Sequence, residues 1–81
     1  MNIYVGNLSP KTSEWQLRRT FGRYGKVGKI SMNEQQREGN AHNFCMIEMP
    51  FGNQASVAIQ KLNGENLGGS VLTVKESGLS V

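Results

Sequence analysis

The sequence predicts a single α+β domain in which two helices cover one face of a four-stranded antiparallel sheet. Three observations support this fold class. The chain of 81 residues is too short for a second domain. The segments with strand and helix patterns follow one another as strand, helix, strand, strand, helix, strand. Because two amphipathic helices can cover only one face of such a sheet, the other face is expected to stay open.

The amino-terminal third is predicted to form a strand and then a helix. Residues 3–8, IYVGNL, are rich in strand-forming residues and alternate, so that Tyr4 faces away from the buried side. Ser13 is expected to cap the helix, because Gln16 follows three residues later in a capping-box pattern. Gly25 is expected to end the helix. The buried stripe of this helix consists of Leu17, Phe21 and Tyr24.

The middle of the chain is predicted to form two strands joined by a long loop. Residues 27–33 form the first of these strands, with Ile30 and Met32 toward the core. Residues 34–41, EQQREGNA, are polar and turn-prone, and they are expected to form a mobile hairpin loop. Residues 42–49, HNFCMIEM, alternate as a half-buried strand. Its core-facing residues are Cys45, Ile47 and Met49, and its opposite-facing residues are Phe44, Met46 and Glu48.

The carboxyl-terminal third is predicted to form a second helix and a last strand. The helix is expected to end at Asn63-Gly64, and Gly68-Gly69 is expected to form a turn. Residues 71–75 then form the last strand. This order of elements is that of a ferredoxin-like βαββαβ sandwich. The buried stripe of the second helix consists of Ala55, Ala58, Ile59 and Leu62.

The composition argues against several classes of protein. Cys45 is the only cysteine, so neither a disulfide nor a multi-thiolate metal site is expected, and no cofactor is predicted. No apolar run approaches the roughly 18 residues of a membrane-spanning helix, and we expect a soluble, cytoplasmic protein. The net charge of +3 is compatible with a nucleic-acid partner without requiring one.

The open face of the sheet is expected to carry Tyr4, Phe44 and Met46, although large apolar side chains are unusual on a solvated surface. Three interpretations stand. These side chains contact one another across the strands and stabilise the sheet, a C-terminal tail covers them, or the rings are platforms on which unpaired bases stack. A ring on each of two strands favours the last interpretation.

Over residues 2–77 the chain resembles the RNA recognition motif (RRM) family, and in particular its small stand-alone bacterial members. IYVGNL is similar to the first-strand hexapeptide of the family, and HNFCMIEM to its third-strand octapeptide. The resemblance implies that single-stranded RNA, or single-stranded DNA, is the partner. It implies base stacking on Tyr4 and Phe44, sugar packing against Met46, and a phosphate contact at His42. It also implies that residues 1–81 form one complete small RRM-like domain.

Charged and polar residues near the rings complete the predicted RNA-binding set. Lys29 and Lys75 are expected to point outward from the second and fourth strands, and Arg37 to lie in the mobile loop. Asn2 precedes Tyr4 on the same face of the first strand. With so few cations, the dependence of binding on salt is expected to be shallow.

A second group, formed by Trp15, Arg18 and Arg19, lies in the most basic part of the sequence. Arginine stems either cover a partly exposed tryptophan, or the group is a protein-binding or self-association surface. The alternative function is therefore a protein-interaction or self-associating module with weak or no RNA binding. A homodimer formed through the open sheet face is a third possibility. No enzymatic activity is predicted, because the sequence offers no His–carboxylate or Ser–His arrangement and His42 is the only histidine.

Overall fold

The computed structural model places two helices against one face of a four-stranded antiparallel sheet. It describes residues 1–37 and 40–78, and within these ranges it describes the side chains of all residues except 33–43. The elements are β1 (Asn2–Leu8), α1 (Glu14–Gly22), β2 (Ile30–Arg37), β3 (Asn40–Glu48), α2 (Gly52–Leu62), β4 (Asn66–Leu67), β5 (Ser70–Val71) and β6 (Thr73–Ser77). The main sheet has the strand order β2-β3-β1-β6, and β4 and β5 form a separate two-stranded sheet. The predicted fold class is confirmed.

The core lies between the helices and the face of the sheet that bears every second residue of β1 and β3. Ile3 and Ile47 lie opposite each other in the register and are fully buried. Leu17 and Phe21 of α1 are buried in the same cluster. The cluster also contains Ala55, Ala58 and Leu62 of α2. Both helices therefore cover this face.

The boundaries of the helices follow from local hydrogen bonds. Ser13 accepts from the backbone N–H of Gln16 at 3.2 Å, and the Gln16 side chain accepts from the N–H of Ser13 at 3.1 Å, which confirms the capping box. α1 ends at Gly22, with Arg23 as its C-cap, which is earlier than the predicted end at Gly25. α2 ends before Asn63, as predicted. Neither helix of the described ranges is long and apolar enough to cross a membrane.

The prediction of a long loop over residues 34–41 is wrong, because most of this segment continues the strands. The pairing of β2 with β3 extends from Ile30 opposite Ile47 to Arg37 opposite Asn40, and residues 38–39 lie outside the described ranges. The ladder is made by backbone N–H and C=O groups, so polar residues can extend it beyond the core without an apolar face.

Two further boundaries differ from the prediction. β2 begins at Ile30, because Gly28 and Lys29 pair irregularly with Glu48: its carbonyl accepts from Gly28, and its N–H donates to the Lys29 carbonyl. The predicted last strand over residues 71–75 is divided between β5 and β6. The division falls at Leu72, whose N–H donates to the carbonyl of Glu65 and whose carbonyl accepts from the N–H of Gly64. The predicted turn at Gly68-Gly69, where φ is 63° and 89°, is confirmed and joins β4 to β5. Glycine adopts positive φ values readily, which allows this tight hairpin.

Candidate nucleic-acid interface

The register of the main sheet gathers predicted site residues from distant parts of the sequence onto the face away from the helices. Tyr4 lies directly opposite Met46 of β3 and Lys75 of β6, so these three residues form one row across three strands. Asn2, half-buried, lies opposite Glu48 one row away. Residues two apart in a strand share a face, and this alternation therefore builds the site.

An aromatic pair forms the centre of this face. The ring centroids of Tyr4 and Phe44 lie 5.6 Å apart, with an angle of 29° between their planes. Both residues are half-buried, so each ring keeps part of its surface in contact with solvent. The Nζ atom of Lys75 lies 5.2 Å from the centroid of the Tyr4 ring, over its face. The pair thus combines a flat apolar surface with an adjoining positive charge. We call it the ring pair below.

Gly6 determines where the Tyr4 ring lies. A Cβ atom placed on Gly6 would lie 2.6 Å from Oη and 2.7 Å from Cε1 of Tyr4, which is closer than side-chain atoms approach each other. The ring can therefore lie over the strand only because residue 6 has no side chain. This role was not predicted, although a glycine inside a strand is a known sign of close approach to the backbone.

Asn7 holds the end of β1 beside the ring pair. Its φ is 59°, and the register of β1 with β3 shifts between Val5 and Leu8, as in a β-bulge. The side-chain amide of Asn7 donates to the carbonyl of Val71 at 2.7 Å. Asparagine tolerates this left-handed conformation better than most residues do. The Gly6-Asn7 dipeptide is the feature of the sequence that could have predicted this irregular end of β1.

Met46 lies on the open face as predicted, but it offers little surface. Its exposed fraction is only 7%, and it is not part of the core cluster. In the register it is flanked by Tyr4 on one side and Ser31 on the other. Neighbours on the open face itself therefore enclose it, and little of its thioether remains for contact with a sugar.

Of the remaining predicted site residues, Lys29 is described in full, and His42 and Arg37 are described by their backbones only. Lys29 is exposed just before β2. The backbone of His42 pairs with Gln35, and that of Arg37 with Asn40. The side chains of His42 and Arg37 lie outside the described part of the structure.

Cys45 belongs to the opposite side of β3. It is fully buried in the core, and burial raises the pKa of its thiol from 9.0 to about 12. The thiol therefore stays protonated at neutral pH and is a poor nucleophile. The prediction that Cys45 faces the core is confirmed.

Trp15 and its neighbours form a separate group on α1. The indole is 65% exposed, and the guanidinium carbon of Arg19 lies 5.4 Å from the ring centroid. Arg18 instead donates from Nη1 to the carbonyl of Val27 at 3.3 Å. Because α1 packs on the covered face of the sheet, this group does not join the ring pair.

Comparisons with known proteins agree on one family. The family model described as RNA recognition motif matches residues 3–73. The chain is 34% identical over 77 residues to RbpE of Nostoc sp., a protein named for RNA binding, and the match covers 95% of this chain and 78% of RbpE. It is 36% identical over 73 residues to polyadenylate-binding protein 5 of Arabidopsis thaliana, but it spans only 11% of that protein.

Solved structures support the same assignment. The crystal structure of the RNA-binding protein PG1 superposes with a TM-score of 0.87 at 33% identity, and the match covers 100% of this chain and 98% of PG1. The RRM domain of Rna15 has the same fold, with a TM-score of 0.82 at 24% identity. With a family match over nearly its whole length and an open sheet face that bears the aromatic pair, the chain belongs to the RNA recognition motif family.

Proposed function

We propose that this protein binds single-stranded RNA on the open face of its sheet, with bases stacking on Tyr4 and Phe44. The observation that carries the proposal is the ring pair, held on an uncovered face beside Lys75. Membership of the family, and relatives that are named RNA-binding proteins, support RNA as the ligand. Stacking of a base on an aromatic side chain contributes about 1–3 kcal/mol and tolerates any base.

Polar groups around the ring pair are proposed to hold the phosphates and base edges. Lys75 and Lys29 supply positive charge, and Asn2 supplies an amide that can donate to or accept from a base. We include His42 as a phosphate contact on the basis of the family resemblance, and Arg37 as a further cation because it lies at the end of β2. Because this set contains few cations, binding at the sheet should depend only weakly on salt.

Single-stranded DNA is a second proposed ligand of the same face. Discrimination between RNA and DNA requires a group that reads the 2′-hydroxyl, and the ring pair itself stacks bases of either nucleic acid. A comparison of RNA and DNA oligonucleotides of the same sequence would measure this discrimination directly.

The experiment that tests the proposal compares three alanine variants by fluorescence anisotropy with a labelled single-stranded RNA. Tyr4→Ala and Phe44→Ala should each weaken binding by about 1–3 kcal/mol, roughly five- to 150-fold. Phe51→Ala is the matched control, because Phe51 is 53% exposed at the start of α2, away from the ring pair. It should bind RNA as the wild type does. Circular dichroism would verify that all three variants fold.

Two outcomes would contradict the proposal. If both ring variants bind RNA as tightly as the Phe51 variant, bases do not stack on the ring pair. If the wild type binds neither RNA nor DNA, the alternative of a protein-interaction module is favoured. The enclosed Met46 and the substitution of His42 for a basic residue of the family pattern are the features that support that alternative.

A further inference from the structure

The surface around α1 carries more positive charge than the surface around the ring pair does. Between residues 11 and 26 the sequence contains five cations and a single carboxylate, Glu14. All five cationic side chains are exposed. Together with Trp15 we call them the α1 face. The cations are Lys11, Arg18, Arg19, Arg23 and Lys26.

Helical spacing places the centre of this face opposite the core. Leu17 and Phe21 are the buried residues of α1. Trp15 and Arg19 are four residues apart, and Arg23 lies one further turn along, about 5.4 Å farther along the axis. Arg19 covers part of the indole, while 65% of Trp15 remains exposed. Trp15, Arg19 and Arg23 thus follow one another along the exposed side of the helix, and Arg19 contacts the ring.

We propose that the α1 face is a second RNA-binding surface, which contacts phosphates through Arg19 and Arg23 and stacks an unpaired base on Trp15. Guanidinium groups match the geometry of phosphate oxygens, and they stack on aromatic rings without losing their charge. An exposed aromatic ring among cations is the combination by which proteins bind single-stranded nucleic acid.

The composition of the face favours RNA over a protein partner. The core of a protein interface is depleted of charged residues and is built from several apolar groups. The α1 face offers one apolar side chain among five cations. Interfaces with nucleic acids are more polar and much more positive than interfaces between proteins. A basic patch along a helix in a chain of pI about 9.4 is the corresponding electrostatic pattern.

The two surfaces lie on opposite sides of the sandwich, because α1 packs on the face of the sheet away from the ring pair. One molecule can therefore hold two segments of RNA at once. This site goes beyond the sheet-face function, since it requires neither Tyr4 nor Phe44, and the two can be tested separately.

Trp15 makes the test direct, because it is the only tryptophan and its fluorescence reports on the α1 face alone. The probe is a single-stranded oligouridylate of about 20 nucleotides, longer than typical single-stranded sites. It is titrated into the wild type and into a Tyr4→Ala/Phe44→Ala variant. We expect quenching of Trp15 in both proteins, since the base stacks on the indole whether or not the ring pair is present.

The cations are tested in the Tyr4→Ala/Phe44→Ala background. Adding Arg19→Gln and Arg23→Gln should weaken the remaining binding about tenfold. It should also reduce the slope of log affinity against log salt by about 1.4, which is 0.7 for each lost phosphate contact. Lys61→Gln is the matched control, because Lys61 is an exposed cation on α2. It should change neither quantity.

Three outcomes would overturn the proposal. The first is unchanged Trp15 fluorescence in both titrations. The second is equal behaviour of the arginine and Lys61 variants. The third is quenching by poly-glutamate with an affinity equal to or higher than that for RNA, which would assign the face to acidic proteins. Loss of sheet binding with quenching retained would contradict only the sheet-face function, so the two failures remain distinguishable.

Discussion

The open sheet face and the α1 face both combine aromatic rings with cations, but they are built differently. On the sheet, Tyr4 and Phe44 are half-buried and stacked at 5.6 Å, and the Nζ atom of Lys75 lies 5.2 Å from the Tyr4 ring centroid. On α1, Trp15 is 65% exposed and contacts Arg19, in a part of the sequence that contains five cations. Geometry is therefore controlled closely on the first face, whereas charge is concentrated on the second.

This difference follows from the elements that carry the two faces. A pleated sheet with a defined register fixes each side chain against neighbours on both sides, which favours preorganised stacking. A helix exposes long side chains on a convex surface, where they keep their rotamer freedom. We therefore expect the sheet to contribute affinity through contacts, and α1 to contribute electrostatic attraction that weakens with salt.

Gly6→Ala should produce the largest change among substitutions outside the ring pair itself. The added methyl group would meet the Tyr4 ring at 2.6–2.9 Å and displace it from Phe44. We expect RNA affinity to fall by about 1–3 kcal/mol, the same range as for Tyr4→Ala. Trp15 quenching in the background that lacks the ring pair should not change. Anisotropy titrations and Trp15 fluorescence would measure these effects.

A double-mutant cycle shows whether Gly6 acts through Tyr4. In a Tyr4→Ala background, Gly6→Ala should have no further effect on affinity, because no ring remains to be displaced. Gly22→Ala is the matched control, since a Cβ at Gly22 meets nothing within 4 Å. If Gly6→Ala weakens binding equally in both backgrounds, Gly6 does not act by positioning the ring.

Met46→Phe should have a smaller effect in the opposite direction. Met46 is almost enclosed, so the larger phenylalanine side chain has to extend above Tyr4, where its ring adds a stacking surface. We expect RNA affinity to increase by less than about tenfold, toward the lower end of one stacking contact. Met46→Leu, of similar volume, should leave affinity unchanged. An unchanged or lower affinity for the phenylalanine variant would show that residue 46 does not contact RNA.

RNA binding should not change the reactivity of the Cys45 thiol. This result would support treating the two faces as independent. The thiol lies in the core between them, and burial raises its pKa to about 12. It should not react with a thiol reagent at pH 8, with or without RNA. Because the folded pKa is raised, the protonated thiol favours the folded state below about pH 9, and stability falls as the pH rises toward 12. Rapid labelling of the RNA complex would show instead that binding opens the core.

The parts of the fold that follow local rules could be predicted from the sequence. The capping box at Ser13, the helix end at Asn63 and the inward residues of β3 each depend on a few neighbouring residues, and each is confirmed. The extent of the β2–β3 ladder could not be predicted. Its polar residues pair through their backbones, and polarity alone cannot separate such a ribbon from a loop.

The candidate site could likewise be predicted only in part from the sequence. Alternation placed Tyr4 and Phe44 on one face, but the register decides that Met46 lies between Tyr4 and Ser31 and loses its surface. The contact of Gly6 with the Tyr4 ring depends on a side-chain rotamer and on packing. Neither can be read from the spacing of residues along the chain.

Asn63 has a consequence for assembly of the protein at high concentration. Its Oδ1 accepts from the backbone N–H of Val74 at 3.0 Å, and so it occupies a donor on β6, one of the two outer strands of the main sheet. An outer strand with free backbone groups recruits strands from other chains and promotes aggregation. On this side of the sheet, the Asn63 side chain occupies a backbone donor to which a strand of another chain would otherwise bind. Uncontrolled sheet growth is thus opposed at this position of β6 by a hydrogen bond to a neutral side chain.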